Sequence, residues 1–217
     1  MKKTKRKVTV LLVVAMIAGL FWGCSSLPDI DASKYVQAVL DAKYKNDATL
    51  LEELGAATKE EVEQMHNGAI NDTVNAMFAA GGISGNDELK QRYRDIYNDI
   101  LSRMDYTVKD AQKLSDGTYN VTVTYRKMNL FVPAMKKVRK NLNKVSTASV
   151  QSAVDSIFTL LADNLEKTLS KDTEYGIEEV MIVHLVIDDN KYVIKQEDAE
   201  ALTMNLLDAE EGIKVLQ

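Results

Sequence analysis

The hydrophobic pattern of this chain changes its period near residue 105, and this change limits the fold more than any other sequence feature. Over residues 87–104, apolar side chains recur every three or four positions, which is typical of one buried helix face. Over residues 118–125, apolar and polar side chains alternate, which predicts a half-buried β-strand. The apolar side chains that this strand directs to one face are Tyr119, Val121, Val123 and Tyr125.

Helices are predicted on both sides of this strand. The apolar spacing and the flanking residues predict them over residues 32–45, 50–54, 58–80, 87–104, 133–143, 149–169 and 197–207. Thr58 and Glu61 form a capping box, Ser149 is a candidate N-cap, and Pro133 suits a first turn.

Two β-hairpins are predicted. Residues 106–114 and 118–125 flank the turn dipeptide Asp116-Gly117, and residues 180–187 and 191–195 flank Asp188-Asp189-Asn190. The 180–187 segment is apolar on both faces apart from His184, which predicts a central strand. Two hairpins favour an antiparallel sheet of about four strands. Helices must cover at least one face of it, so the predicted fold class is α+β in a single domain.

The first 26 residues have the pattern of an export signal. Basic residues at 2, 3, 5, 6 and 7 precede an apolar, uncharged run over residues 8–22, which ends at Gly23 and Cys24. The apolar run has about 15 residues, fewer than the roughly 20 that span a bilayer as a helix. This pattern is typical of a secretory signal or of a bacterial lipoprotein signal with a functional cysteine. The alternatives to a lipoprotein signal are an uncleaved membrane anchor and an ordinary signal in which the cysteine occurs by chance.

Cys24, directly after Gly23 at the end of the apolar run, resembles the cysteine in the lipobox of bacterial lipoproteins. The resemblance covers residues 21–24, although Phe21 and Trp22 are bulky where that family usually has leucine and a small residue. It implies a diacylglyceryl group on the Cys24 sulfur and cleavage before Cys24. We therefore predict a signal peptide over 1–23, the lipidated cysteine and a tether over 24–31, and an extracytoplasmic domain over 32–217, anchored to the cell membrane.

Composition narrows the possible partners. The signal contains five of the 27 basic residues and none of the 32 acidic ones, so cleavage leaves a formal charge of −10. An acidic domain is a poor candidate for binding nucleic acid or anionic lipid surfaces. Cys24 is the only cysteine, so a lipidated chain has no disulfide, thiol nucleophile or cysteine-based zinc site.

No catalytic, cofactor or metal site is predicted. His66 and His184 are the two histidines; either is a candidate base, and a structural role is the alternative. Glu178-Glu179 and Asp188-Asp189-Asn190 are possible calcium ligands, but they lack EF-hand spacing, and turn chemistry explains the second group. The sequence contains no HExxH, GxSxG or phosphate-loop motif.

Four segments resemble a group of uncharacterised lipoproteins of Gram-positive gut bacteria: residues 35–44, 118–125, 129–134 and 175–177. That resemblance implies no activity. The order of helices and strands also resembles cystatins and the nuclear-transport-factor-like superfamily, with residues 133–169 as a helical insertion.

The predicted function is a lipid-anchored, non-catalytic binding or interaction module at the cell envelope. Its partner is an unidentified protein or small molecule, and a small ligand is expected between the sheet and the helices. One alternative is a nuclear-transport-factor-like enzyme that uses a pocket histidine or carboxylate. A second is a structural assembly factor of an envelope complex, for which the helix face over residues 150–165 is the candidate surface.

Overall fold

The computed structural model describes residues 30–82, 87–145 and 148–215. Over these residues the chain forms eight α-helices and a four-stranded antiparallel sheet, which confirms the predicted α+β class. The elements in chain order are α1 (Ala32–Lys45), α2 (Thr49–Glu53), α3 (Lys59–Gly81), α4 (Asp87–Ser102), β1 (Asp105–Lys113), β2 (Tyr119–Met128), α5 (Phe131–Asn141), α6 (Val150–Leu169), β3 (Tyr175–Asp188), β4 (Lys191–Ile194), α7 (Gln196–Asn205) and α8 (Ala209–Lys214).

The sheet has the strand order β1-β2-β3-β4, although α5 and α6 separate β2 from β3 in sequence. Val123 in β2 is paired with Val108 on one side and with Met181 on the other. The short strand β4 pairs only with the last part of β3, from Leu185 to Asp188. Both predicted hairpins are therefore present, and they meet through the β2–β3 pairing.

One face of the sheet packs on helices. The predicted apolar row of β2, from Tyr119 to Tyr125, is buried. Helix α1 lies against this face, where Gln37 accepts a hydrogen bond from the Val108 backbone N–H at 3.2 Å and Asp41 accepts one from the Tyr106 hydroxyl at 2.7 Å. The opposite, outer face carries Asn120, Thr122 and Thr124 of β2 and Val180, Ile182 and His184 of β3.

Local signals set most helix ends. Asp31 caps α1 by accepting a hydrogen bond from the Lys34 N–H, and the helix ends at Asn46, which has a φ of +53°. The predicted capping box at Thr58 and Glu61 is present, and Gly82 ends α3 with a φ of +66°. Ser149 caps α6 as predicted.

The N-terminus of α5 is capped by a distant residue. Asp208, between α7 and α8, is buried, and its carboxylate accepts hydrogen bonds from the backbone N–H groups of Leu130, Phe131 and Val132 at 2.9, 2.6 and 2.9 Å. Three donors of the first turn, which have no partner within a helix, are thereby satisfied by one side chain. This contact joins the start of α5 to the C-terminal part of the chain.

One prediction about an element needs correction, and one element was missed. The first part of β3 is not buried on both faces, because Val180 and Ile182, on the outer face of the sheet, remain 64% and 42% exposed. Helix α8 was not predicted, since its six residues are too few for a periodic pattern.

The predicted signal peptide, Cys24 and most of the tether lie outside the described residues. Within the ranges that the structure describes, no helix has the length and apolar character needed to cross a membrane.

Candidate functional site

An apolar cavity of about 150 Å³ lies among five helices, and we call it the helical cavity. No strand residue lines it, so this cavity does not lie between the sheet and the helices, where the sequence predicts a ligand space. The lining side chains are Met77 of α3, Tyr93, Ile96, Tyr97 and Ile100 of α4, Phe131, Met135 and Val138 of α5, Ile157, Phe158, Leu161 and Leu165 of α6, and Ala209 and Ile213 of α8.

The only polar side-chain groups in this lining are two tyrosine hydroxyls, and both already have partners. Tyr93 donates to the Phe158 carbonyl at 2.8 Å, and the Tyr97 hydroxyl lies 3.8 Å from the Met77 sulfur. Burial raises the pKa of both hydroxyls well above the ordinary value, so both are neutral at physiological pH. The helical cavity therefore presents neither a charge nor an unpaired hydroxyl proton to a ligand.

Tyr93 and Phe158 of the lining belong to an aromatic cluster. The rings of Phe78, Tyr93 and Phe158 lie with centroids 5.5 to 5.9 Å apart in tilted and edge-on arrangements. Such arrangements are favourable for aromatic rings and keep the side chains in fixed positions. This part of the lining is therefore preformed.

An ion-pair clamp joins α4 and α6, the two helices that supply most of the lining. Arg92 contacts both oxygens of Glu166, at 3.0 and 2.8 Å, and one oxygen of Asp163 at 2.7 Å. These two carboxylates raise the pKa of the Arg92 guanidinium above its usual range. All three side chains are partly exposed, so the clamp is expected to contribute modestly to stability.

We expect Arg92→Met to lower the free energy of unfolding by about 0.5–1 kcal/mol at low salt, and by less as salt screens the charges. Arg94→Met is the matched control, because the hydrogen bond that Arg94 makes among the described residues goes to Gln91 of its own helix, at 3.2 Å. Urea unfolding at two salt concentrations measures the difference. Equal losses in the two variants would contradict the clamp.

Two further depressions are larger but more open. One, of about 340 Å³, is lined by residues of α6 such as Asp155 and Thr159 together with Val145. The other, of about 240 Å³, lies beside the start of α5 and the loop before β3, and Lys137, Lys171 and Asp172 are part of its lining. Their exposed, mixed lining does not favour any ligand class.

His184 forms a close pair with an aspartate. Its Nδ1 lies 2.7 Å from the Asp198 carboxylate, which also accepts the His184 backbone N–H at 2.8 Å. Asp198 is buried at the start of α7, whereas the His184 ring is half-exposed on the outer face of the sheet. His184 lines none of the three cavities described above.

His66 has a structural position. It is buried, with Nδ1 3.0 Å from the Lys43 carbonyl and Nε2 3.1 Å from the Asn98 side-chain oxygen. Both ring nitrogens thus have protein partners that connect α3 with the end of α1 and with α4. No ring nitrogen is left for a substrate.

The acidic clusters do not form a metal site. Asp189 and Asn190 have φ values of +45° and +58°, as expected for the tight turn between β3 and β4. Glu179 accepts a hydrogen bond from the Tyr125 hydroxyl at 3.0 Å. In the described part of the chain, no group of three or more histidine, cysteine, aspartate or glutamate side chains is arranged to hold a metal ion.

The helix face over residues 150–165, the candidate assembly surface, is exposed at one end and buried at the other. Val150 is 84% exposed, Val154, Phe158 and Leu161 are partly buried against the core, and Leu165 is buried. The face is therefore partly used by the fold itself, and its exposed part is confined to the N-terminal end of α6.

The chain matches no protein-family model, no curated protein and no solved structure. The resemblances to gut-bacterial lipoproteins, cystatins and nuclear-transport-factor-like proteins therefore stay predictions.

Proposed function

We propose that this chain is a lipid-anchored extracytoplasmic protein that acts by binding rather than by catalysis, and that its ligand site is the helical cavity. The observation that carries the binding site is the uncharged and almost entirely apolar lining of that cavity, in which both tyrosine hydroxyl protons already have partners. The pattern of residues 2–24 supports the anchor and the location.

The chemistry of the helical cavity favours a small, uncharged, apolar ligand. A charged or strongly polar molecule would lose its hydration and find no charged partner and no free hydroxyl proton in this lining. Apolar cavities of about 150 Å³ stay dry and accept molecules of the size of benzene. The end of an alkyl chain fits the same description, with each buried methylene contributing about 0.8 kcal/mol.

Ligand binding is tested with benzene and short alkanols as probes. On a chain that begins at Ser25, which avoids competition from detergent, we expect saturable binding with a dissociation constant of roughly 1 mM, which corresponds to about 4 kcal/mol. Nuclear magnetic resonance of the methionine methyl groups measures it, because Met77 and Met135 line the cavity.

Two neighbouring substitutions in α8 form the control. Ala209→Phe places a ring in the cavity and is expected to abolish probe binding, whereas Glu210→Phe adds the same ring at an exposed position and should leave binding intact. If Ala209→Phe does not fold, Val138→Ala serves instead, because it enlarges the cavity and should allow larger aromatic probes to bind. Equal binding by all variants would exclude the helical cavity.

The anchor is tested separately in a bacterium that exports the chain. Cys24→Ala is expected to remove incorporation of labelled fatty acid and to release the chain from the membrane fraction. Continued lipid labelling of the Cys24→Ala variant would contradict attachment at Cys24.

A second candidate is an enzyme that uses His184 as a general base. The observation in its favour is the 2.7 Å pairing with the buried Asp198, which fixes the orientation of the half-exposed ring. This candidate requires an activity that is lost in His184→Gln and strongly reduced in Asp198→Asn. The binding proposal expects both variants to retain probe binding in the helical cavity.

A further inference from the structure

The middle of β3 forms a free sheet edge. His184 accepts a hydrogen bond from Lys195 on the β4 side, and backbone groups alternate between the two sides of a strand. The N–H and C=O groups of Glu178, Val180 and Ile182 therefore point to the same side as those of His184. Within the described residues, no strand pairs with these three residues on that side.

The free edge carries exposed apolar side chains. Val180 and Ile182 are 64% and 42% exposed, although soluble proteins usually protect such edges with charges, proline or a covering segment. At its C-terminal end the edge is closed, because the Asp198 carboxylate accepts the His184 N–H and β4 begins to pair at Leu185. The free edge is thus limited to a short stretch around Val180.

We propose that this edge pairs with the same edge of a second copy of the chain, antiparallel, about a two-fold axis at Val180. In this register, Val180 of each copy faces Val180 of the other, and Glu178 faces Ile182. All three N–H and all three C=O groups of each edge then find partners. Because the same residues are used by both copies, the contact closes as a dimer that joins the two sheets.

The charges and the cap at His184 select this register. A shift in one direction places Glu179 of one copy directly opposite Glu179 of the other, which is unfavourable. A shift in the other direction requires pairing by His184, whose N–H and C=O are already bonded to Asp198 and Lys195. Only the register centred on Val180 avoids both problems.

Charge complementarity favours a second copy as the occupant. When Glu178 lies opposite Ile182 of the second copy, the diagonal neighbour of Glu178 on the outer face is His184 of that copy. His184 is half-exposed and its Nδ1 is held by Asp198, so it is the imidazolium form of His184, with a proton on Nε2, that can donate to the exposed Glu178 carboxylate. The two-fold axis provides this contact twice.

Disulfide cross-linking of the full-length chain in a mild detergent tests the register. Facing residues of a hydrogen-bonded antiparallel pair have Cα atoms about 5.5 Å apart, within the range of a disulfide. Val180→Cys is therefore expected to form a covalent dimer under mild oxidation. Ile182→Cys is the matched control, because its two copies would be roughly 13 Å apart along the strands. The parent chain, whose only cysteine is Cys24, is the control for covalent dimers that form through Cys24.

The oligomeric state of the full-length chain gives a second readout. Five paired residues bury much less than the roughly 800 Å² per partner of a standard interface, so we expect weak, concentration-dependent dimers. Val180→Lys is expected to raise the dissociation constant at least about tenfold, whereas Thr107→Lys, exposed on the distant strand β1, should not change it. A chain that stays monomeric up to about 1 mM, or equal cross-linking of Val180→Cys and Ile182→Cys, would overturn the proposal.

Discussion

Replacing Asp208 with alanine is expected to lower the free energy of unfolding by about 3 kcal/mol. The carboxylate is buried and accepts three backbone hydrogen bonds at the start of α5, the shortest at 2.6 Å from Phe131. Its removal leaves three N–H donors without partners, two of them on buried residues. A buried donor without a partner costs about 1–3 kcal/mol, and relaxation of the first turn recovers part of the total.

Two other variants distinguish this cap from an ordinary one. Asp208→Asn keeps one acceptor oxygen and is expected to lose about half as much stability. Asp31→Ala removes an exposed cap whose side chain accepts the Lys34 N–H, and should cost about 0.5–1 kcal/mol. Urea unfolding compares the three variants. A loss in Asp208→Ala no larger than that in Asp31→Ala would show that the buried cap is not important for stability.

Sequence reasoning located the elements whose ends depend on neighbouring residues. The predicted bounds of α1 match the structure, because the Asp31 side chain and the positive φ of Asn46 act within a few residues of the helix ends. The cap of α5 was not found, because Asp208 is 77 residues from Phe131. The local sequence before α5 offers Leu130, which is not a capping residue.

Strand β3 shows why apolar composition alone is an incomplete guide to burial. Alternating and continuous apolar patterns predict which faces can be buried, but not whether another layer covers them or whether a neighbouring strand pairs with the edge. Here Val180 and Ile182 remain exposed on the outer face, and β4, with only four residues, leaves their backbone edge unpaired within the described residues. The free edge is therefore a property of strand lengths in three dimensions.

The candidate sites were predictable only in part. The apolar stripe of α6 was visible in the sequence, but the helical cavity depends on how side chains from five helices fail to fill the space between them. His184 was recognised as a candidate base, whereas its partner Asp198 was not, because the two meet only when the β3–β4 hairpin turns the chain back toward α7.

Replacing Gly212 with alanine is expected to lower the free energy of unfolding by about 2 kcal/mol. A Cβ atom at this position in α8 would lie 2.7 Å from the Phe131 Cβ and 3.0 Å from the Phe131 carbonyl carbon. Phe131 has little freedom to move, because its N–H is bonded to Asp208. The overpacking cost of about 1–3 kcal/mol therefore outweighs the helix-propensity gain of up to about 1 kcal/mol.

Gly68→Ala in α3 is the matched control for that substitution, since a Cβ atom at position 68 would meet open space and the same propensity gain is unopposed. We expect opposite signs: Gly68→Ala stabilises by up to about 1 kcal/mol and Gly212→Ala destabilises. In an Asp208→Asn background, Phe131 is held less firmly, so Gly212→Ala should cost less than in the parent chain. Urea unfolding of the parent chain, of Gly212→Ala, of Asp208→Asn and of the double variant measures this coupling. Additive losses would mean that Asp208 does not fix the position of Phe131 against α8.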